Sequence, residues 1–334
     1  MSQTTTYVFA TALSALSALA ACAPYHAASP GALQDASPHP SATPRLFTFT
    51  SDAAGFSTHT YFYDTGAEVV AIDTQFTPAH AQAALTYLRT QTPNPVTYAI
   101  VTHPNPDKFN GMTVFQAAGA KVVMSEATAA ALPAVHAYKK AFFVDTTHMF
   151  TAETYPVLGT PDLTFATSQY TLRLGDGTAL TLQTLATPAV SSTQTVVHAP
   201  AVHALIVGDM VHYQTHAWLE GGIVAGKATP TLDAWQGNLR ALATTYAHDP
   251  ALRVYGGRGP NAPLAEAMTA QQAYLSEVTA ALQRGRRTTA QPPCQTLTAA
   301  TLAQAMQQRY PGFAQPALVE YSAYALLASE PHCQ

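Results

Sequence analysis

From Phe47 onward, short runs rich in Val, Ile, Thr and Tyr alternate with stretches whose apolar residues recur at helical spacing, which restricts the fold more than any other feature. Residues 60–64, 68–73, 96–102, 121–124, 170–174, 179–185, 195–198 and 204–207 read as strands, with Gly175-Asp176-Gly177 as a hairpin turn. Ala81, Ala84, Leu85 and Leu88 make one apolar helix face, and Leu232, Trp235, Leu239 and Leu242 make another behind Pro230 and a capping Thr231. Leu264, Met268, Leu275, Val278 and Leu282 mark a long helix after Pro263, and two short helices are expected near 299–309 and 316–328. This order suits neither one doubly wound sheet nor a β-sandwich. It predicts an α+β chain of two mixed sheets packed together with helices outside.

Composition allows such a core. The chain has 334 residues, 48% hydrophobic and 10% charged, which excludes wholesale disorder. The net charge of −4 and the lack of any basic run of five residues exclude sequence-independent nucleic-acid binding. The one long apolar run is N-terminal, residues 7–21, short of the ~20 residues of a membrane span and suited to a secretory signal. Leu19-Ala20-Ala21-Cys22 closes it and resembles the lipobox of bacterial lipoproteins, in which the Cys is acylated. No Lys or Arg precedes it, a departure from that pattern, and an uncleaved anchor is the alternative. Residues 1–21 thus read as a signal peptide and 22–45, rich in Pro, Ser, Ala and His, as a flexible tether. The resemblance implies an exported, periplasmic protein whose membrane partner is engaged through lipid at Cys22, and Ala23 implies sorting to the outer membrane. Cys294 and Cys333 remain as a disulfide pair closing about 40 residues, or as two free thiols.

One segment carries chemistry. Val101-Thr102-His103-Pro104-Asn105-Pro106-Asp107-Lys108-Phe109-Asn110-Gly111 follows a predicted strand and resembles the T-H-x-H-x-D-H-x-x-G signature of the metallo-β-lactamase fold. Val70-Ala71-Ile72-Asp73, Leu205-Ile206-Val207-Gly208-Asp209, His216-Ala217-Trp218-Leu219 and the 254–260 run Val-Tyr-Gly-Gly-Arg-Gly-Pro are similar to further landmarks of that family, in order. The resemblance implies an αββα sandwich over 46–262, followed by a small helical C-terminal extension over 263–334.

Family members hold one or two metals, mostly zinc, and a metal-bound water attacks the substrate. Carried over position by position, His103, Asp107 and Asp209 remain of the seven ligands. Asn105 and Val190 replace His ligands of the first metal, and Lys108 and Arg258 replace those of the second. An ammonium and a guanidinium offer no lone pair and oppose a dication, so these two are expected to stand in for metal in an ion cluster with the Asp pair; the alternative leaves Lys108 in solvent. No cofactor is therefore expected, or zinc only at low occupancy.

Asp73, Ser191 and His216 are placed in the pocket, and 138–155, with its three Phe, reads as a lid. His136, His148 and His212 are read as surface or lining residues, and Ser191, Ser192 and Thr193 lack the elbow motif of a serine nucleophile. Three functions follow. The first is a hydrolase homologue with little or no activity, serving as a periplasmic accessory or binding protein for a small molecule. The second is a hydrolase of a small ester, lactone or amide using one metal on His103, Asp107 and Asp209, with Asp107 as base. The third is a structural envelope protein.

Overall fold

In the computed structural model, which describes residues 43–289 and 297–328, the alternation of side chains along the strands decides the layering. The first half runs β1 (Arg45–Thr50), β2 (His59–Asp64), β3 (Val69–Ile72), α1 (Pro78–Gln91), β4 (Val96–Ile100), α2 (Pro106–Phe109), α3 (Met112–Ala117), β5 (Lys121–Ser125), α4 (Glu126–Ala141) and β6 (Leu163–Phe165). Its six strands form one sheet in chain order, antiparallel from β1 to β3 and parallel from β3 to β6. The second half begins with β7 (Gln169–Arg173), β8 (Ala179–Thr184), β9 (Thr195–Ala199) and β10 (Ala204–His212), then the hairpin β11 (Gly222–Val224) and β12 (Lys227–Thr229). It continues through α5 (Leu232–Thr245), β13 (Arg253–Arg258), β14 (Ala262–Pro263), α6 (Leu264–Thr289), α7 (Ala299–Arg309), α8 (Ala317–Ser322) and α9 (Tyr324–Leu327). The second sheet has the order β14-β13-β10-β9-β8-β7, with β10 and β13 parallel.

Tyr61, Tyr63, Val70 and Ile72 point inward and meet Leu180, Leu182, Val197 and Ile206 between the sheets. Their neighbours Phe62, Val69 and Ala71 point out under α1, packing on Ala81, Ala84 and Leu85. Val196, Leu205 and Val207 point out on the other side, beneath Trp235 and Leu239 of α5 and Leu275 of α6. The result is the expected order of helices, sheet, sheet, helices. A one-residue slip of any central strand would exchange its two apolar faces, so register is tightly specified.

The differences from the sequence reading have local causes. Gly208 adopts φ +52° and the ladder shifts register around it, so β10 continues past the predicted 204–207 to His212 as a bulged strand. The edge strands β1, β6 and β14 and the hairpin β11–β12 are short or polar and were not expected, and residues 253–258 form a strand where only a landmark run was read. Helix α4 is alanine-rich without a clean apolar stripe; Ser125 caps it by accepting from the Thr128 amide. Thr231 precedes α5 but does not cap it, because its hydroxyl donates to the Ala189 carbonyl. The helix expected over 316–328 breaks at Ala323, where Ser322 bonds back to the Leu318 carbonyl and accepts from the Leu219 amide. Cys22, Cys294 and Cys333 lie outside the described residues, as does most of the tether. Among the described residues no helix is long and apolar enough to cross a membrane.

Candidate functional site

Residues just beyond the C-terminal ends of β3 and β4, within β10 and at the end of β13 meet around one cleft between the sheets. The loop after β4 turns into α2, whose two central residues are Asp107 and Lys108. Thr74, next to Asp73, fixes this turn: both its amide and its hydroxyl donate to the Lys108 carbonyl, at 2.9 and 2.7 Å. The Lys108 side chain is thereby sent into the cleft, where it is fully buried. Its ammonium lies 2.9 Å from Asp107 Oδ2 and 2.8 Å from Asp209 Oδ1, close in distance but off the angles of directed hydrogen bonds. Arg258, at the end of β13, spans the same pair from the other side. One terminal nitrogen donates to Asp107 Oδ2 at 2.7 Å and the other to Asp209 Oδ2 at 2.6 Å. Its remaining donors reach the Phe56 carbonyl and the Thr58 hydroxyl, and Thr58 in turn donates to Asp107.

Burial alone would drive Lys108 towards the neutral amine; Asp107 and Asp209 outweigh it and hold its pKa above the usual lysine value. Burial likewise opposes both carboxylates, yet the two cations hold Asp107 below its ordinary value and Asp209 well below. Two positive and two negative charges therefore persist together at neutral pH. The packing is tight at Gly257, where a Cβ would stand 1.8 Å from Asp209 Oδ1 and 2.8 Å from Lys108 Nζ. Gly257→Ala should thus cost at least the about 1–3 kcal/mol of an overpacked core, read as a lowered denaturation midpoint. An unaltered midpoint would mean that the cluster yields freely.

His103 stands beside the cluster. The Thr102 hydroxyl donates to the Asp73 carboxylate and lies 2.9 Å from His103 Nδ1, so Nδ1 carries the proton and donates to Thr102. The unprotonated Nε2 is buried without a hydrogen-bond partner, 3.9 Å from Asp209 Oδ2. Burial depresses His103 to a pKa of about 4, despite Asp209 pulling it up.

Above the cluster the cleft narrows. Phe56, Phe76, Phe143 and Trp218 form its walls, with Asn105 and Lys139 between them. Its free interior of about 20 Å³ takes a water molecule and little more, and it is partly open to solvent.

The family model of the metallo-β-lactamase superfamily matches residues 53–258. The chain belongs to that superfamily. Among solved structures it is similar to the inverting sec-alkylsulfatase Pisa1 from Pseudomonas sp., with a TM-score of 0.57 at 16% identity over 85% of this chain and 50% of that one. The protein TMB-1 gives 0.51 at 15% identity over 71% and 94%, and a metallo-β-lactamase from Pontibacter korlensis gives 0.49 at 22% over 70% and 94%. Identities this low establish the fold alone. No curated protein sequence matches the chain.

Zinc needs lone-pair donors at about 2.0–2.3 Å. Here each carboxylate already faces two cations that have no lone pair to give. Asn105 lines the cleft, and Val190 is buried in the core outside the second sheet. The residues present do not fit a metal centre of the superfamily's kind.

Three residues assigned to the pocket do not line it. Asp73 lies behind His103 as its support, turned there by a left-handed backbone at φ +65°. Ser191 is buried in the loop before β9. His216 faces away, 3.0 Å from the Tyr274 hydroxyl and edge-on to Phe313 of the extension. His136 and His148 bond backbone carbonyls of Pro156 and Val144, and His212 ends β10 beside Trp235. Thr193 pairs with Thr128, and Ser192 Oγ is buried without a partner. The segment read as a lid begins inside α4 and continues as a wide turn over 142–146, from which Phe143 reaches the cleft.

A second buried ion pair was missed by sequence reasoning. Lys139 of α4 contacts Glu220, which also accepts from the Trp218 indole and the Tyr324 hydroxyl. The Lys139 ammonium lies 4.6 Å from the Trp218 ring centre. Its one sequence signal was a lone Glu at the end of the apolar run Ala217-Trp218-Leu219.

Proposed function

We propose that this superfamily member is a non-hydrolytic homologue in which Lys108 and Arg258 take the electrostatic place of metal, kept as an exported ligand-binding or accessory protein. The observation that carries this reading is the double bridge: both cations contact both carboxylates. Metal entry would have to displace them. At about 4 Å and an effective dielectric near 20, a dication and one such cation repel by about 8 kcal/mol. Hydrolysis also needs a base, and Asp107 has its charge fully engaged. The narrow interior adds a steric bar to a bicyclic or ester substrate.

The unpartnered His103 Nε2 favours a second reading, a hydrolase with one metal on His103, Asp107 and Asp209. A zinc titration followed by thermal unfolding separates the two, because a ligand that binds only the native state raises its stability. The non-hydrolytic reading expects no rise in Tm with zinc and no turnover of chromogenic esters, lactones or lactams. A zinc-dependent rise that disappears in His103→Ala would establish the hydrolase instead.

A further inference from the structure

We propose that Gln315, α8 and α9 hold the walls of the cleft in their narrow arrangement, as a latch, and that their release widens the cleft to take an uncharged, apolar ligand. This rests on the charge-balanced ion cluster of the preceding reading and names the regulation and ligand class of that site.

The helical extension touches three of the segments that wall the cleft. Gln315 Nε2 donates to Ser57 Oγ at 2.7 Å, beside Phe56. Ser322 Oγ accepts from the Leu219 amide at 2.8 Å, and the Tyr324 hydroxyl donates to Glu220, both next to Trp218. Tyr324 also accepts from the Tyr138 hydroxyl at 2.8 Å and stacks on Phe142, beside Lys139 and Phe143. Where extension meets cleft, the backbone is held in an unfavourable state. Phe56, Ser57 and Gln315 have φ of +59°, +50° and +56°, and Gln214, whose carbonyl accepts from the Ala314 amide, has +54°. Residues with side chains keep such angles only where surroundings enforce them, and they gather at switches. Left-handed backbone thus lies on both sides of this seam, at Phe56 and Ser57 and at Gln315.

The cleft's charges settle the ligand class. Asp107 and Asp209 are matched by Lys108 and Arg258, and Lys139 by Glu220, so an ionised ligand would be desolvated with no free countercharge. The aromatic walls supply apolar contact, and the Asn105 amide is a neutral polar handle among them.

Titration of the full chain with N-phenyl-1-naphthylamine, an uncharged apolar fluorophore, tests this. Tyr324→Phe and Gln315→Ala should each bind it saturably and several-fold more tightly than the unaltered chain, and adding Phe76→Ala should cancel the gain. Equal affinity in all chains overturns the latch. Fluorescence that grows without saturating, or binding of the anionic 1-anilinonaphthalene-8-sulfonate that is as tight, overturns the ligand class. Should the variants not fold, hydrogen exchange in the unaltered chain decides. Segments 53–58, 138–146 and 216–220 are expected to open together with 317–327, and independent opening contradicts the latch. Metal assayed in the same preparation separates the failures: bound zinc removes the charge balance, whereas metal-free protein that ignores the fluorophore overturns the latch alone.

Discussion

Lys108→Ala is expected to lower the unfolding free energy by about 3–5 kcal/mol, the usual cost of removing one partner from a buried ion pair. Asp107 and Asp209 stay buried in the variant, facing only Arg258 and repelling each other. The penalty is that of uncompensated charge, and so it is not additive. In Lys108→Met combined with Asp107→Asn, one negative charge leaves with the positive one, and the double variant should lose less than the sum of its singles. Denaturant midpoints at constant m-value measure both effects. A Lys108→Ala midpoint equal to that of the unaltered chain would show that the ammonium is not what holds the carboxylates together.

Acid should weaken the fold well before the carboxylates of the ion cluster titrate. Burial depresses His59 and His103 to about 4 and His212 to about 3, against an ordinary value of 6.5. Between pH 6.5 and 4 the unfolded chain takes up protons that the native imidazoles refuse, so stability falls as pH falls. Asp73 acts oppositely: burial raises it to about 7, and its contribution is lost as pH rises from 3.8 through 7. Three imidazoles against one carboxyl leave the net slope positive, with each excess proton worth at most about 1.4 kcal/mol per pH unit. Below pH 3.8 a second loss begins, as Asp107 and Asp209, held low by Lys108 and Arg258, are forced to protonate. Denaturation midpoints between about pH 7.5 and about pH 5 should therefore decline steadily; a flat or rising profile would mean that these histidines are solvated.

The cluster itself was legible from the sequence because its members sit at or near strand ends, where short motifs follow one another in a set order. Asp73, His103, Asp107, Lys108, Asp209 and Arg258 all fall in such runs. Order along the chain does not say which way a side chain faces, and that is why Asp73, Ser191 and His216 were misplaced. The bulge at Gly208 turns on a close approach: a Cβ there would stand 2.6 Å from Thr102 Oγ1, a contact no local pattern reveals. The Lys139–Glu220 pair joins positions 81 residues apart, one of them on an alanine-rich helix that shows no clean stripe. The helix over 316–328 was read from local propensity, but its bonds to Leu219, Glu220 and Tyr138 are a tertiary fact.

The most direct test of the central claim is the metal content of the purified, untagged protein, determined by elemental mass spectrometry without added metal or chelator. With Lys108 and Arg258 bridging Asp107 and Asp209, zinc, iron and manganese together should amount to a small fraction of an equivalent, unchanged in His103→Ala. A full equivalent of metal that disappears in His103→Ala would contradict the account and place a dication where two cations are here assigned.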